Sequence, residues 1–322
     1  MAVEIIRGFA GKPRACQKLT GFFLGQEEIS GCLFVGYPFF DPLGLSQASV
    51  IDGLLISPEK GLVAFNLVEE DSVPRDYCER HDDVCQVIEW NLKRSGKLLK
   101  KRKLAVEVKV VTFAPNAKDG LPVEKEGCPI CDEKTLGAAL ANITLCKPEL
   151  YGEISLAVRT IGKSEKMIER KPLKPGSKGA YCAELEARSS LILDHNQIRA
   201  VMETEEGAQR IRGLSGSGKS TVLALKVAYV HACHPEWKIG VTYNTFSLRE
   251  WYLSAITHFF RNQTGQAPSW DNITVCMAWG NENGKDQTAG MYQIFTDINS
   301  VRFYGFSQAK TNLGSTDPFA EA

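Results

Sequence analysis

Residues 213–220 combine side chains and spacing that could hold the phosphates of a nucleotide. They read Gly-Leu-Ser-Gly-Ser-Gly-Lys-Ser, which fits the pattern G-x-x-x-x-G-K-S. Glycines let successive backbone N–H groups turn toward phosphate oxygens without a Cβ clash. Lys219 can reach the β- and γ-phosphates, and the Ser220 hydroxyl can bind Mg²⁺, which prefers oxygen ligands. We call residues 213–220 the P-loop and expect it to bind phosphate.

The elements around the P-loop fit this expectation. The pattern predicts a strand over residues 208–214, a helix over residues 221–234 that His234-Pro235 stops, and a second strand over residues 238–243. A strand, loop, helix and strand form the βαβ unit that the motif requires. The alternative is a Gly/Ser-rich turn that fits the motif by chance.

Length and composition place limits on the protein class. A chain of 322 residues should hold about two domains, and 43% hydrophobic with 24% charged residues is ordinary for a globular protein. The chain has no run of 18 apolar residues and no apolar secretory core in residues 1–12, so we expect no membrane span and a cytoplasmic location. The formal net charge of zero argues neither for nor against nucleic acid.

The ten cysteines are scattered, which favours free thiols over a disulfide framework. Only Cys128 and Cys131 have the spacing of metal ligands, and a zinc site would need a second pair. The nearby candidates for that pair, Cys78, His81 and Cys85, are irregularly spaced. This segment has two alternative interpretations: a local turn with two thiols, or a zinc site.

The chain divides into three regions. Residues 1–150 mix strands, predicted at 49–57, 61–68 and 104–113, with helices, predicted at 84–100 and 131–143. Residues 151–188 form a basic linker with a lead-in helix, and its Pro, Gly and Lys composition from 160 to 180 favours an exposed segment. Residues 189–322 contain the P-loop.

Two segments beside the P-loop narrow its class. Residues 193–201 read Leu-Asp-His-Asn-Gln-Ile-Arg-Ala-Val, and residues 241–245 read Val-Thr-Tyr-Asn-Thr. Over about residues 190–315 the chain resembles the UvrD/Rep-like superfamily I DNA helicases, whose Q motif, P-loop and motif Ia follow this order. The P-loop departs from the family pattern by Ser215 in place of Ala and Ser220 in place of Thr.

The resemblance implies ATP and Mg²⁺ as cofactors and single-stranded DNA as partner. Gln197 would bond the adenine edge, since its amide offers a donor and an acceptor, and Asn244 and Thr245 would face the DNA. The alternatives are an exposed helix-start residue for Gln197 and a capped turn for the other two, with Thr245 or Ser247 as N-cap. The expected nucleotide contacts are Gln197, Gly213, Ser215, Gly216, Ser217, Gly218, Lys219, Ser220 and Thr221; Lys219 and Ser220 are the catalytic candidates and Ser220 the metal ligand.

The family's Walker B Asp-Glu pair and its later arginines have no counterpart in this sequence. None of the carboxylates after Asn244 forms an Asp-Glu pair behind a hydrophobic strand; they are Glu250, Asp271, Glu282, Asp286, Asp297, Asp317 and Glu321. Such groups orient the attacking water and stabilise the transferred phosphoryl group. We therefore expect ATP binding with poor hydrolysis by this chain alone, either because the motor is truncated before Walker B or because a partner completes the site.

In the N-terminal region the two predicted strands at 49–57 and 61–68 resemble the nuclease-related domain NERD, of the PD-(D/E)XK fold. The family binds a divalent metal with an Asp on one strand and a Glu-x-Lys on the next. Asp52 fits the first position, but Asn66 and Val68 stand where Glu and Lys are expected. We expect an inactive nuclease-like domain in which Asp52 is a turn or edge residue.

A basic segment follows in the same region, with seven positive charges in eleven residues: Lys93, Arg94, Lys97, Lys100, Lys101, Arg102 and Lys103. It could contact nucleic-acid phosphates in a salt-dependent way, or it could be a solvated helix face and its exit turn.

The sequence thus predicts an α/β protein in which a degenerate PD-(D/E)XK nuclease-like domain precedes a partial RecA-like P-loop motor domain. The predicted function is that of an ATP-binding DNA helicase, a hydrolase. The alternative is a regulatory or DNA-binding module that binds nucleotide without motor work.

Overall fold

The first half of the chain folds around a mixed six-stranded β-sheet. The computed structural model describes residues 3–39, 49–93, 98–100, 103–118, 120–122, 127–145, 147–159, 193–245, 248–280 and 290–312. The strands of the first half are β1 (Val3–Arg7), β2 (Gly31–Phe39), β3 (Ser49–Ser57), β4 (Gly61–Leu67), β5 (Leu99–Lys100), β6 (Lys103–Leu104), β7 (Val108–Phe113) and β8 (Ile130–Cys131). Its helices are α1 (Pro13–Leu24), α2 (Tyr77–Lys93), α3 (Leu136–Ala141) and α4 (Tyr151–Arg159), the last preceded by a 3₁₀ turn at Pro148–Leu150.

The six strands follow the order β1-β2-β3-β4-β7-β8. β2, β3 and β4 are antiparallel neighbours, whereas the pairs β1–β2, β4–β7 and β7–β8 are parallel. Every residue of β4 is buried, as expected of an inner strand that is covered on both faces. Helices α1 and α3 pack on one face, and α2 and α4 pack on the other.

The second half is built from helices and one small parallel sheet. Its elements are α5 (His195–Met202), α6 (Lys219–Cys233), β9 (Ile239–Tyr243), α7 (Leu248–Thr264), β10 (Ile273–Met277), α8 (Met291–Ile298) and α9 (Phe306–Asn312). β9 and β10 pair in parallel, with Ile239 opposite Ile273. Within the described part of the chain, no helix is long and apolar enough to cross a membrane.

A single hydrophobic core connects the two halves. It joins Phe34 and Leu54 of the six-stranded sheet to Tyr229 of α6, Phe259 of α7 and Val275 of β10. The regions predicted as 1–150 and 189–322 are therefore in direct contact. The predicted linker from 160 to 180 lies outside the described residues, and residues 151–159 form α4 on the sheet.

Tyr229 of α6 forms the most specific contact between the halves. Its buried hydroxyl accepts a hydrogen bond from the Phe9 N–H (2.8 Å) and donates one to the Gly36 carbonyl oxygen (3.1 Å). A Cβ at Gly8 would lie 2.2 Å from this hydroxyl oxygen, and a Cβ at Gly36, where φ is +69°, would lie 2.3 Å from the Phe9 carbonyl oxygen. Glycine at position 8 therefore allows α6 to approach the sheet, and glycine at position 36 allows the close passage of the Phe9 backbone.

The predicted strand over residues 208–214 is absent. This segment has no strand pairing within the described residues, and all of it except the partly buried Ile211 is exposed. A strand needs a neighbour for its backbone N–H and C=O groups. The polar sequence around Ile211 also offers no continuous apolar face to bury, which explains why the segment stays outside the sheet.

The helix predicted at 221–234 spans Lys219–Cys233, and three other elements differ more from the predictions. The helix predicted at 84–100 begins at Tyr77, because Tyr77, His81, Ile88 and Leu92 form a continuous buried face, and it ends before β5. The strand predicted at 104–113 is divided into β6 and β7. The helix predicted at 131–143 starts at Leu136, since Cys131 pairs with Phe113 in the sheet. The strands predicted at 49–57, 61–68 and 238–243 are confirmed within one residue.

Candidate functional site

The P-loop adopts a turn that only glycine makes without strain at two positions. Gly216 and Gly218 both have φ of +78°, in the left-handed region that disfavours side chains. A Cβ at Gly213 would lie 2.5 Å from Ser217 Oγ, so the loop is tightly curled at its start. Gly218 is the N-cap of α6, which begins at Lys219. The loop therefore leads directly into the positive end of a 15-residue helix.

Lys219 folds back across the P-loop. Its Nζ donates hydrogen bonds to the carbonyl oxygens of Gly213 (3.0 Å) and Leu214 (2.7 Å), and the Ser217 N–H also donates to Leu214 O (3.2 Å). The ammonium group is thus held beside the loop by neutral acceptors. A phosphate oxygen carries more negative charge than a carbonyl, so it can compete for the same donors.

Gln197 lies against the P-loop at the start of α5. Its Oε1 accepts a hydrogen bond from the Asp194 N–H (2.9 Å), and the Asp194 carboxylate accepts one from the Gln197 N–H (2.9 Å), which together form a capping box. The other amide atom, Nε2, donates to the carbonyl oxygen of Ser217 (3.1 Å). Both polar atoms that would bond the adenine edge are therefore engaged within the chain.

Helix α5 is held at both ends. Lys226 of α6 donates from Nζ to the carbonyl oxygens of Ala200 (3.1 Å) and Glu203 (2.6 Å), and burial lowers the pKa of this lysine. On the other side of α5, Glu4 of β1 lies 2.5 Å from His195 Nε2 and 3.6 Å from an Arg199 nitrogen. These contacts fix α5, and with it Gln197, between the six-stranded sheet and the P-loop helix.

The remaining predicted nucleotide contacts lie on or next to the loop. Ser215 is exposed, while Ser220 and Thr221 are partly exposed in the first turn of α6. Ser220 is thus open to solvent at the position where the motif expects a metal ligand.

Asn244 and Thr245 follow directly after β9 and are exposed. The Thr245 carbonyl oxygen accepts a hydrogen bond from the Leu248 N–H (2.9 Å) at the start of α7. Among the described residues, no hydrogen bond joins either residue to the P-loop. The structure therefore brings Gln197 to the P-loop and leaves Asn244 and Thr245 in a separate turn.

No carboxylate of the described residues forms a hydrogen bond with the P-loop. Glu250 pairs with Arg249 (2.9 Å), and Asp271 and Asp297 are exposed. The other carboxylates considered from the sequence, Glu282, Asp286, Asp317 and Glu321, lie outside the described residues.

The N-terminal candidate Asp52 belongs to β3, between β2 and β4. The expectation of a turn or edge residue is therefore wrong. Its Oδ2 accepts hydrogen bonds from Lys12 Nζ (2.7 Å) and from the Leu67 N–H (2.9 Å). The carboxylate takes the place of a strand partner where the β3–β4 pairing ends, which explains why a charged residue is tolerated at an inner strand. Asn66 and Val68 are both buried.

Lys12 and Glu69 complete this polar cluster, and sequence reasoning missed both. The Glu69 carboxylate accepts the N–H groups of Arg14 (3.1 Å) and Ala15 (2.8 Å) at the start of α1. Burial raises the pKa of the nearby Cys16 thiol to about 12, and the charges of Asp52 and Glu69 add to this rise. The carboxylates are thus bound to a lysine and to backbone N–H groups, in an arrangement that stabilises the fold.

The cysteine segment also has structural contacts. Cys131 is buried in β8 with its Sγ 3.6 Å from the Thr112 carbonyl oxygen, and Cys128 packs with Tyr77 and Ile130. His81 Nε2 lies 2.9 Å from the Val110 carbonyl oxygen. In the described ranges, no three His, Cys, Asp or Glu side chains are grouped to hold a metal ion.

Part of the basic segment is described. Lys93 forms an ion pair with Glu89 (2.8 Å), whereas Lys100 and Lys103 are exposed and face each other across β5 and β6. Like charges at opposite positions repel, so this hairpin concentrates positive charge. The other basic residues, Arg94, Lys97, Lys101 and Arg102, lie outside the described residues.

Comparisons of this chain with protein-family models, with curated proteins and with solved structures find no match. A proposal for the function therefore rests on the chemistry of the P-loop and its neighbours.

Proposed function

We propose that this protein binds ATP with Mg²⁺ through the P-loop and uses it to act on DNA, as the resemblance to UvrD/Rep-like helicases implies. The observation that carries the proposal is the loop itself. It matches G-x-x-x-x-G-K-S, has left-handed glycines at Gly216 and Gly218, and leads into the N-terminus of α6. Backbone N–H groups, a lysine and a helix dipole at one point form an anion site.

Each predicted contact has a chemical role in this proposal. Lys219 exchanges its carbonyl partners for β- and γ-phosphate oxygens, and Ser220 provides a hydroxyl oxygen to Mg²⁺. Asn244 and Thr245 contact single-stranded DNA. The exposed Lys100 and Lys103 contact its phosphates, which would make DNA binding fall with salt. The proposed location is the cytoplasm.

A regulatory module that binds ATP without motor work is the second candidate. It is favoured by the exposed segment at 208–214, which leaves the P-loop without a lead-in strand within the described residues. In a motor, a further segment or a partner would supply the carboxylate and arginine that hydrolysis needs; a regulatory module needs neither.

The two candidates predict different ATP turnover. A motor hydrolyses ATP faster when single-stranded DNA is added, and Lys219→Ala abolishes that increase. A regulatory module binds Mg²⁺-ATP but releases no phosphate above background, with or without DNA. Steady-state phosphate release by the protein isolated from its native cells with any bound partner, measured with and without an unstructured oligonucleotide, separates the two, because the groups that complete the site are then present.

A further inference from the structure

We infer that Gln197 is a positioning residue that orients the backbone amide of Gly218 for phosphate binding. The inference rests on the proposed nucleotide binding and concerns how the same site is organised. It assigns to Gln197 an action on the phosphate cradle in place of a contact with the base.

The orientation of the Gln197 amide group is fixed by its two partners. The Asp194 backbone N–H can only donate, so the atom it bonds at 2.9 Å must be the carbonyl oxygen Oε1. The NH₂ group then faces the carbonyl oxygen of Ser217 at 3.1 Å, which can only accept. The reversed amide would place two donors together at one end and two acceptors together at the other.

The bond to Ser217 O sets the direction of the next N–H group. The Ser217 carbonyl and the Gly218 N–H belong to one peptide unit, and no peptide bond in the described residues is cis. In a trans peptide the C=O and N–H point in opposite directions. Because Gln197 holds the carbonyl toward α5, the Gly218 N–H points away from α5, on the other side of the loop.

The peptide between Ser217 and Gly218 needs such an external hold because Gly218 is conformationally permissive. At φ of +78° the residue has no side chain to restrict rotation of its peptide planes. An unconstrained loop would lose entropy when it orders around phosphate, and a pre-set amide reduces that cost. A Cβ at Gly218 would lie 3.3 Å from Gln197 Nε2, a tight contact, so this close approach also favours glycine.

Gln197 can perform this task because α5 is held in place. Lys226 bonds the C-terminal carbonyls of α5, and Glu4 contacts its first turns through His195 and Arg199. Gln197 already uses Oε1 for the helix cap and one N–H of Nε2 for the loop, and in this arrangement its amide acts on the phosphate cradle. Its effect should therefore act on the phosphates and be the same for every base.

The experiment compares Gln197→Met with Gln209→Met. Methionine keeps the length of the side chain and removes the amide. Gln209 also donates from Nε2 to a backbone carbonyl oxygen, that of Glu203 (3.1 Å), but not to the P-loop. Asp194→Ala removes the carboxylate half of the capping box while leaving the Gln197–Ser217 bond intact, and so controls for the loss of the helix cap.

Calorimetric titrations of the intact chain with Mg²⁺-ATP, Mg²⁺-GTP and Mg²⁺-tripolyphosphate give the readout. We expect Gln197→Met to weaken all three by the same factor, about tenfold, since an oriented hydrogen bond contributes on that order. Gln209→Met and Asp194→Ala should change each affinity less than threefold.

Three other outcomes would overturn either this inference or the proposed function. Unchanged tripolyphosphate binding with a lost preference for ATP over GTP would mean that Gln197 reads the base, and would overturn the inference while the proposed function stands. An equal loss in Asp194→Ala would overturn it too, because the helix cap would then be the cause. If the wild-type chain binds none of the three probes, the proposed function itself is wrong.

Discussion

At the residue scale, the site depends on polar atoms that have specific partners. The sequence predicts the site to which Gln197 belongs, but it does not predict which atoms Gln197 bonds. The motif around it and the P-loop spacing predict that both belong to one site, and the structure places Nε2 at 3.1 Å from Ser217 O. The capping box was also readable as Asp194 followed three residues later by Gln197.

The Tyr229 hydroxyl gives a prediction at this scale. Tyr229→Phe leaves the Phe9 N–H and the Gly36 carbonyl oxygen without their partner, at a place where Gly8 packs closely against the hydroxyl. We expect a loss of about 1–3 kcal/mol in the free energy of unfolding, measured with urea. Tyr292→Phe, where the ring is partly exposed, is the control and should cost less. An equal cost for both changes would contradict the role assigned to the Tyr229 hydroxyl.

Asp52 shows where sequence reasoning failed for a single residue. Its position in the nuclease-like pattern was clear, but its partner Lys12 lies 40 residues away in sequence. No local pattern connects Lys12 or Glu69 to β3. Such contacts arise from tertiary packing, which one sequence without a structure does not reveal.

At the element scale, patterns of apolar residues predicted three of the strands. β3, β4 and β9 were predicted within one residue, because apolar and β-branched side chains bounded by turn residues identify strands. The strand at 208–214 was predicted from its residue pattern and is absent, because a strand depends on a neighbour that local sequence does not supply. The end of α2 failed for a similar reason, since Leu99 pairs with Leu104 in a hairpin.

The turn between β3 and β4 predicts how the free energy of unfolding changes with pH. Partial burial raises the pKa of the Glu59 carboxyl, but hydrogen bonds from Ser57 and Ser30 outweigh that effect and lower it from 4.5 to about 2. The stability from a carboxylate with a lowered pKa is fully present above pH 4.5 and is lost as the pH falls toward 2. Glu59→Gln should therefore give a shallower decrease of the unfolding free energy between pH 4.5 and 2.

Urea unfolding at several pH values tests this, with the exposed Glu206→Gln as control. The same slope in wild type and Glu59→Gln would rule out the assigned role of the turn.

At the scale of the whole molecule, the sequence predicted an α/β protein, and the mixed six-stranded sheet with its helices agrees at that level. The shared core was not predicted. Its residues include Phe34 of β2 and Val275 of β10, which are 241 residues apart in sequence. Composition and periodicity indicate which faces are apolar, but they do not indicate which faces meet. Gly8, which makes room for the Tyr229 hydroxyl, has no local signature that distinguishes it from a turn glycine.

The central claim is that the P-loop binds Mg²⁺-ATP, and calorimetric titration of the intact chain and of Lys219→Ala tests it most directly. We expect one nucleotide per chain and an affinity about 10–100-fold lower in the variant, since a hydrogen bond to a charged group contributes about 1.5–3 kcal/mol. Lys238→Ala is the matched control, because its exposed ammonium also bonds a backbone carbonyl, that of Asp271 (3.0 Å). Equal affinity in wild type and Lys219→Ala, or no binding by the wild-type chain, would contradict the account.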